Sequence, residues 1–150
     1  MKIRRQAKEN ARMVVFTNGC FDILHYGHLD YLTKAKQLGD ILVVGVNTDS
    51  SIRKFKSLDR PIVPERQRAK LVDGLKPVDY VILFNEETPG RLIRAIRPDV
   101  LVKGADYRIK DIVGADFVKG YGGKVRRIKL VPNLSTTKII KRIVDGFAHG

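Results

Sequence analysis

Two histidines, His25 and His28, lie three residues apart in the segment TNGCFDILHYGH (residues 17–28). The chain has only three histidines in 150 residues, so this concentration favours a functional site. At the start of a helix, side chains at this spacing project on one face and can present two imidazole N–H groups to the same oxyanion. Gly19 allows an unobstructed turn, and Gly27 allows a phosphate-bearing ligand to approach closely. Because no cysteine and histidine set completes a tetrahedral site, we expect anion binding here and no metal ligation.

Short apolar runs alternate with amphipathic stretches along the chain, and this order must position the histidine segment. The runs predict buried parallel strands, and the stretches predict crossover helices. The predicted strands are Met13–Phe16, Ile41–Val46, Tyr80–Phe84 and Val100–Val102, with a less regular fifth strand at Lys124–Val131 near an edge of the sheet. The predicted helices are His25–Leu38, Pro64–Leu75, Thr88–Ile96 and Ser135–Phe147. This order is typical of an α/β fold, a doubly wound Rossmann-like parallel sheet of about five strands with helices on both faces.

Two segments of the predicted fold are suited to ligand binding. The histidine segment follows the first strand, and ligands of open α/β sheets bind at the carboxyl ends of strands, near helix N-termini. The segment Ser51–Pro64, rich in lysine and arginine, is predicted to be a long loop of the kind that often binds ligands.

Composition excludes several classes of protein. With 29 Lys and Arg against 16 Asp and Glu, the formal net charge is +13, which indicates an anionic partner without identifying it. No apolar run approaches the roughly 20 residues of a membrane helix, so membrane insertion is not expected. Cys20 has no intrachain partner for a disulfide, and we expect a cytoplasmic protein. Residues 1–12 are interpreted as a basic N-terminal extension, since no apolar region follows them as in a secretory signal.

The segment TNGCFDILHYGH resembles the signature of the nucleotidyltransferase superfamily that includes the glycerol-3-phosphate and phosphoethanolamine cytidylyltransferases. From Val14 to about Ile143 the chain resembles one branch, the adenylyltransferase domains of ADP-heptose synthases. The segments that carry this resemblance are NTDSSIRKFK, RPIVPERQRAKLVDGLKPVDYVILFNEETPGRLI, RPDVLVKGADY and LSTTKIIKRI. The resemblance implies a nucleotidyltransferase domain over residues 13–150.

The resemblance also implies a reaction. Members of that branch transfer AMP from ATP to D-glycero-β-D-manno-heptose 1-phosphate, giving pyrophosphate and the ADP-heptose used in the lipopolysaccharide core. Because the attacking phosphate is already an anion, catalysis would rest on positioning and charge stabilisation. Mg²⁺ is implied as the ion that accompanies ATP, with no firm protein ligand. The alternative is a cytidylyltransferase acting on glycerol 3-phosphate or another small phosphorylated acceptor, since the histidine motif is shared across the superfamily.

Residue roles follow from the same resemblance. His25, His28 and Lys56 are the expected catalytic residues, and Arg68 is an expected substrate-binding residue. The expected nucleotide-binding residues are Thr17, Asn18, Gly19, Phe21, Asp22, Gly27, Lys103, Gly104, Asp106, Ser135, Thr136 and Thr137. A simple helix cap is the alternative interpretation for the last three. Arg66 departs from the family pattern, in which an acidic residue is more usual.

The expected partners are small molecules and a second copy of the chain. ATP and a sugar 1-phosphate are the implied substrates, and a homodimer is expected because superfamily members are commonly dimers. Nucleic-acid binding is not expected despite the charge, since no recognition-helix, RNA-sheet or zinc-finger signature is found. A separate heptose kinase and phosphatase are expected to supply the sugar phosphate, because these 150 residues contain no kinase segment.

Overall fold

Five strands form one parallel sheet in the computed structural model, which describes residues 1–148. They are β1 (Val14–Gly19), β2 (Ile41–Asn47), β3 (Tyr80–Phe84), β4 (Val100–Gly104) and β5 (Lys124–Ile128). Their order in the sheet is β3-β2-β1-β4-β5, with every neighbouring pair parallel. The predicted doubly wound α/β sheet is confirmed, and β5 lies at an edge, as its irregular alternation indicates.

Seven α-helices and one short 3₁₀ helix (Ile109–Asp111) connect or flank the strands within the described residues. The α-helices are α1 (Lys2–Glu9), α2 (Tyr26–Lys36), α3 (Asp49–Arg53), α4 (Glu65–Asp73), α5 (Gly90–Ile96), α6 (Ala115–Gly120) and α7 (Thr136–Phe147). Four of them, α2, α4, α5 and α7, correspond to the predicted helices. The prediction of a loop over Ser51–Pro64 is wrong at its start, because residues 51–53 belong to α3. The apolar pattern does not predict α1, whose only apolar residues are Ile3 and Ala7, or α6, which is six residues long.

Alternate residues of the strands pack on opposite faces of the sheet. On one face, Val14 and Phe16 of β1 belong to an apolar cluster that includes Ala7 of α1 and residues of α5 and α6. On the other face, Val15 packs with Leu32 of α2 and with α4. Because helices cover both faces, the central strands are buried on both sides, which explains why they are continuous apolar runs in the sequence.

The N-terminal residues pack against the sheet through α1. Ala7 is almost completely buried, and Arg4 forms an ion pair of 2.7 Å with Asp99. The same Asp99 carboxylate accepts a hydrogen bond from the backbone N–H of Val14, where β1 begins. The first turns of the chain are therefore attached to the amino edge of the sheet, opposite the edge where the strands end.

Parallel pairing brings the carboxyl ends of all five strands to one edge. Strand order reverses between β1 and β4, and this switch point is where ligands of doubly wound sheets bind.

None of the helices in residues 1–148 combines the length and apolar character needed to cross a membrane.

Replacing a core leucine tests the packing of the sheet. Leu42 in β2 is fully buried, whereas Leu58 is 85% exposed. We expect Leu42→Ala to lower the free energy of unfolding by about 2–5 kcal/mol, because it removes buried methyl groups and leaves a cavity. Leu58→Ala, the matched control, should change it by less than about 0.5 kcal/mol. Urea denaturation measures both, and equal midpoints for the two variants would contradict this packing.

Candidate active site

A cavity of about 590 Å³ lies at the carboxyl edge of the sheet. It extends from the segment after β3, past the end of β1, to the segment between β5 and α7. All of the expected site residues line this cavity except Thr17 and Arg68. The fold therefore brings the expected residues together from four separate segments of the chain, residues 18–28, 56, 103–106 and 135–137.

The two histidine side chains accept hydrogen bonds from the backbone at the start of α2. His25 is the N-cap residue, and its Nδ1 accepts a hydrogen bond of 3.1 Å from the Gly27 N–H. The Nδ1 of His28 accepts one of 3.2 Å from the His25 N–H. The rings stack with their centroids 3.8 Å apart. A Cβ at Gly27 would lie 2.8 Å from Cε1 of His25, so glycine here leaves room for that ring.

Both imidazoles are neutral at neutral pH. Burial, followed by repulsion from His25, lowers the pKa of His28 from 6.5 to about 4, although Asp22 acts in the opposite direction. Burial also lowers the pKa of His25. A neutral imidazole has one donor and one acceptor, and here Nδ1 is the acceptor in both rings. Each ring therefore offers its Nε2–H to a ligand.

Asp22 connects the histidine segment to two other parts of the site. Its carboxylate is 2% exposed and accepts hydrogen bonds from Arg60 Nε (3.1 Å) and from the N–H groups of Ile62 (2.8 Å) and Val63 (2.9 Å). Its carbonyl accepts one of 2.5 Å from the Thr136 hydroxyl. Burial alone would raise the pKa of Asp22, but these hydrogen bonds and the Arg60 charge hold it below its ordinary value. Asp22 therefore lines the cavity in a structural role, because its carboxylate oxygens already accept hydrogen bonds from protein groups.

Arg68 is not placed to bind a substrate, which corrects that expectation. The residue is 1% exposed and does not line the cavity. Its guanidinium donates to the carbonyls of Val63, Cys20 and Asn47 at 2.6–2.8 Å, and it forms an ion pair of 2.7 Å with Asp49. Arg68 therefore holds the ends of β1 and β2 against the start of α4.

Thr17 also has a different place from the expected one. Its side chain is fully buried in β1 and lies 2.7 Å from the hydroxyl of Tyr31, with which it shares a hydrogen bond. The expectation that Thr17 contacts the nucleotide is not supported, because Tyr31 lines the cavity in its place. Through this hydrogen bond, the buried Thr17 side chain positions the hydroxyl of Tyr31.

The N-terminus of α7 closes one end of the cavity. Ser135 is the N-cap, and its Oγ accepts a hydrogen bond of 3.1 Å from the Lys138 N–H. The helix-cap interpretation therefore holds for Ser135, while the Thr136 hydroxyl is engaged by Asp22. Thr137 is exposed and lines the cavity. The first turn of a helix leaves unpaired N–H groups and a positive dipole end, which together favour an anion.

Lys103, near the end of β4, and the turn that follows it line the cavity. Lys103 Nζ donates to the Asn18 carbonyl over 3.3 Å and lies 5.2 Å from the centre of the Tyr107 ring. Burial lowers the pKa of Lys103 to about 8, against the opposing effects of Cys20 and Asp106. A Cβ at Gly104 would crowd the Asp106 carboxylate at 2.5 Å.

Several lining residues are not predicted from the sequence. The polar ones are Tyr31, Asn47, Arg60, Glu87, Thr88 and Asp111. Glu87 and Thr88 carry a signal that could have identified them, because they lie three and four residues after the end of β3 and so belong to the same edge of the sheet. Arg60 belongs to the segment Ser51–Pro64, which is predicted as a whole to bind ligands. Tyr31 lies within an ordinary helix pattern and carries no such signal.

The residues at this edge do not form a metal site of their own. Within residues 1–148, no group of three or more histidine, cysteine or acidic side chains gathers closely enough to hold an ion. The carboxylate nearest the histidine motif in sequence, Asp22, is occupied by Arg60 and two backbone N–H groups. The described residues therefore gather no cluster of three such ligands at this edge.

Comparison with known families identifies the superfamily. The family model described as cytidylyltransferase-like matches residues 16–142, which include every lining segment of the cavity. This chain belongs to the cytidylyltransferase-like family. The resemblance to nucleotidyltransferases stated from the histidine motif is confirmed.

Individual proteins of the cytidylyltransferase-like group are similar over most of this chain. It is 51% identical over 143 residues to the bifunctional protein HldE of Syntrophotalea carbinolica and 52% identical over 142 residues to that of Wolinella succinogenes. Each match covers 95% of this chain but only 29% of the relative, so the chain spans less than a third of their length. The crystal structure of the lipopolysaccharide core biosynthesis protein from Thermoplasma volcanium aligns with a TM-score of 0.65 at 33% identity, covering 80% of this chain and 97% of that one.

Titration by NMR tests the state of the histidines. We expect nitrogen shifts of the Nε2–H tautomer for both rings at neutral pH, and for His28 protonation only near pH 4. Between pH 6.5 and about 4 the unfolded chain binds protons that the folded ring does not, so the free energy of unfolding should fall as the pH falls. His28→Asn should make that slope shallower. An Nδ1–H tautomer, or an ordinary pKa for His28, would contradict the capping geometry.

Removing Arg68 separates a structural role from substrate binding. Arg68→Met leaves the Asp49 carboxylate and three carbonyls without their donor, so we expect a loss of about 3–5 kcal/mol in the free energy of unfolding. Arg66→Met, on the exposed side of the same helix, is the control and should change it by less than about 0.5 kcal/mol. Urea denaturation is the measurement. A stable Arg68→Met protein with weakened acceptor binding alone would restore the original expectation.

Proposed function

We propose that this protein transfers AMP from ATP to D-glycero-β-D-manno-heptose 1-phosphate, forming ADP-heptose and pyrophosphate. The observation that carries the chemistry is the stacked pair His25 and His28, which line the same cavity as the N-terminus of α7. Two sets of N–H donors in one cavity suit a polyphosphate. The choice of nucleotide and sugar is supported by the similarity to HldE proteins and to a lipopolysaccharide core biosynthesis protein.

The proposed step is an in-line displacement at the α-phosphorus of ATP. A phosphate oxygen of the sugar phosphate forms the new bond to that phosphorus, and the bond from phosphorus to the α,β-bridging oxygen breaks. Pyrophosphate leaves with the electron pair of the broken bond. Because the attacking oxygen is already an anion at neutral pH, no proton has to be removed, and the site contributes by positioning and by stabilising charge.

The leaving group is the part of this reaction that the histidines can assist. His25 and His28 donate their Nε2–H groups to oxygens on which negative charge increases as the bond breaks. Lys56 lines the same cavity in the segment after α3 and adds a mobile positive charge. Burial keeps the two rings neutral, so they act as donors and not as cations.

Mg²⁺ enters the proposal only as the ion bound to ATP, where it would neutralise phosphate charge. Since the described residues do not form a ligand set for it, no step is assigned to the metal. The cytoplasmic location, the homodimer and the separate heptose kinase and phosphatase stay predictions.

The test of this function is pyrophosphate release in the presence of Mg²⁺. ATP and CTP are each combined with heptose 1-phosphate, glycerol 3-phosphate and a hexose 1-phosphate. We expect turnover with ATP and heptose 1-phosphate. Turnover confined to CTP and glycerol 3-phosphate would move the protein to the alternative reaction with the same histidine roles. The absence of turnover with every pair would contradict nucleotidyl transfer to these acceptors.

Histidine variants test the assigned mechanism. His28→Ala should lower kcat by roughly 100- to 1000-fold, the effect typical of losing one preorganised donor to a developing oxyanion. Tyr26→Ala is the matched control, because Tyr26 lies between the histidines, is 61% exposed and does not line the cavity. Equal turnover of the two variants would remove His28 from the mechanism.

A further inference from the structure

Lys103 is a cation in the cavity without a carboxylate partner. None of the ion pairs formed within residues 1–148 includes it, and its hydrogen bond goes to the Asn18 carbonyl. The Asp106 charge acts on Lys103 but forms no ion pair with it. Withdrawing an ammonium group from water without a direct ion pair is unfavourable, so a cation held in a cleft in this way is a candidate for binding an anionic ligand. This environment distinguishes Lys103 from the many lysines on the surface of the chain.

The position of Lys103 in the sheet points to the centre of the site. Asn18 near the end of β1 and Lys103 near the end of β4 flank the point where strand order reverses. The side-chain oxygen of Asn18 is buried and has no hydrogen-bond partner among the described residues. A buried acceptor without a donor is unfavourable unless a ligand supplies one, for example through a hydroxyl group. A cation and an unsatisfied acceptor thus lie on neighbouring strands.

The two ends of the cavity differ in what they can bind. The histidines and the N-terminus of α7 suit the departing pyrophosphate, and in-line displacement places the attacking group on the opposite side of the α-phosphorus. Lys103 contacts the Asn18 carbonyl near the end of β1, whereas the histidines lie at the start of α2. The two groups therefore line the cavity from different segments of the chain.

We propose that Lys103 and Asn18 form the subsite for the acceptor, with Lys103 on its phosphate and Asn18 on a neighbouring hydroxyl. In this proposal Lys103 binds the acceptor, whereas the resemblance implies that it binds the nucleotide. The ligand class is a phosphomonoester that carries a hydroxyl close to the phosphate. The assignment of this ligand as the acceptor rests on the proposed transfer of AMP.

The charge of Lys103 gives this subsite a pH dependence. Its pKa is near 8 in the free protein, and the groups that face it are Cys20, Asp106 and the Tyr107 ring. As the pH rises through that value the ammonium group loses its proton, so affinity for the acceptor falls. A bound phosphate opposes this loss by favouring the charged form.

Calorimetry on the full chain tests the subsite without requiring turnover. The probes are heptose 1-phosphate and inorganic phosphate, each added to protein saturated with a non-hydrolysable ATP analogue. We expect Lys103→Met to weaken both by roughly tenfold or more, the typical loss for a charge-assisted hydrogen bond, while the Kd of the ATP analogue stays within about twofold. Lys103→Arg should retain binding and lose the weakening above pH 8, because arginine remains charged. Lys119→Met, an exposed lysine outside the cavity, is the matched control.

Each outcome decides between the two proposals. Lys103→Met could abolish phosphate binding while the wild-type protein transfers no AMP to heptose 1-phosphate. That result would support the subsite and contradict the proposed sugar. Unchanged phosphate binding in Lys103→Met, or no binding of either probe to the wild-type chain, would overturn the subsite whatever the turnover. Weaker binding of the ATP analogue alone would return Lys103 to the nucleotide.

Discussion

The hydrogen bonds of Asp22 hold the active site together. Its neighbours Phe21 and Ile23 have φ values of 53° and 52°, a region that branched side chains seldom adopt, so the chain turns sharply on both sides of it. That turn lets one residue bind the 60–63 segment with its carboxylate and the start of α7 with its carbonyl. The 60–63 segment, the segment that precedes α2 and the start of α7 are thus held together by contacts to a single residue.

The fold was predictable because its strands are buried on both faces. Val14, Val15 and Phe16 alternate between two apolar clusters, so no polar residue interrupts them and the run indicates a central parallel strand. The same reasoning fails for α3, whose five residues include a buried Ser51 that bonds Asn47 and the Glu86 carbonyl. A short polar helix held by side-chain hydrogen bonds has no apolar period, and only the folded chain defines it.

The site was predictable in its location and only partly in its roles. Parallel topology requires that residues after each strand meet, so the positions of His28, Lys103 and Thr137 follow from the sequence. Whether a polar side chain faces a ligand depends on which partners it finds in the fold, and sequence does not specify them. Arg68 is saturated by protein groups and Thr17 pairs with Tyr31, although both belong to motifs of the binding edge. The protonation of the histidines also depends on burial.

The neutral histidines and the overall charge of +13 have separate effects. Besides the neutral histidines, the charged lining residues are three cations, Lys56, Arg60 and Lys103, and four acids, Asp22, Glu87, Asp106 and Asp111. The positive excess therefore lies outside the cavity, where it attracts anionic substrates over a distance. Inside, a donor that stays neutral binds a resting phosphate less strongly than a cation would. The same donor gains strength as charge develops on the leaving oxygen, and an interaction that is stronger in the transition state than in the ground state is what accelerates a reaction.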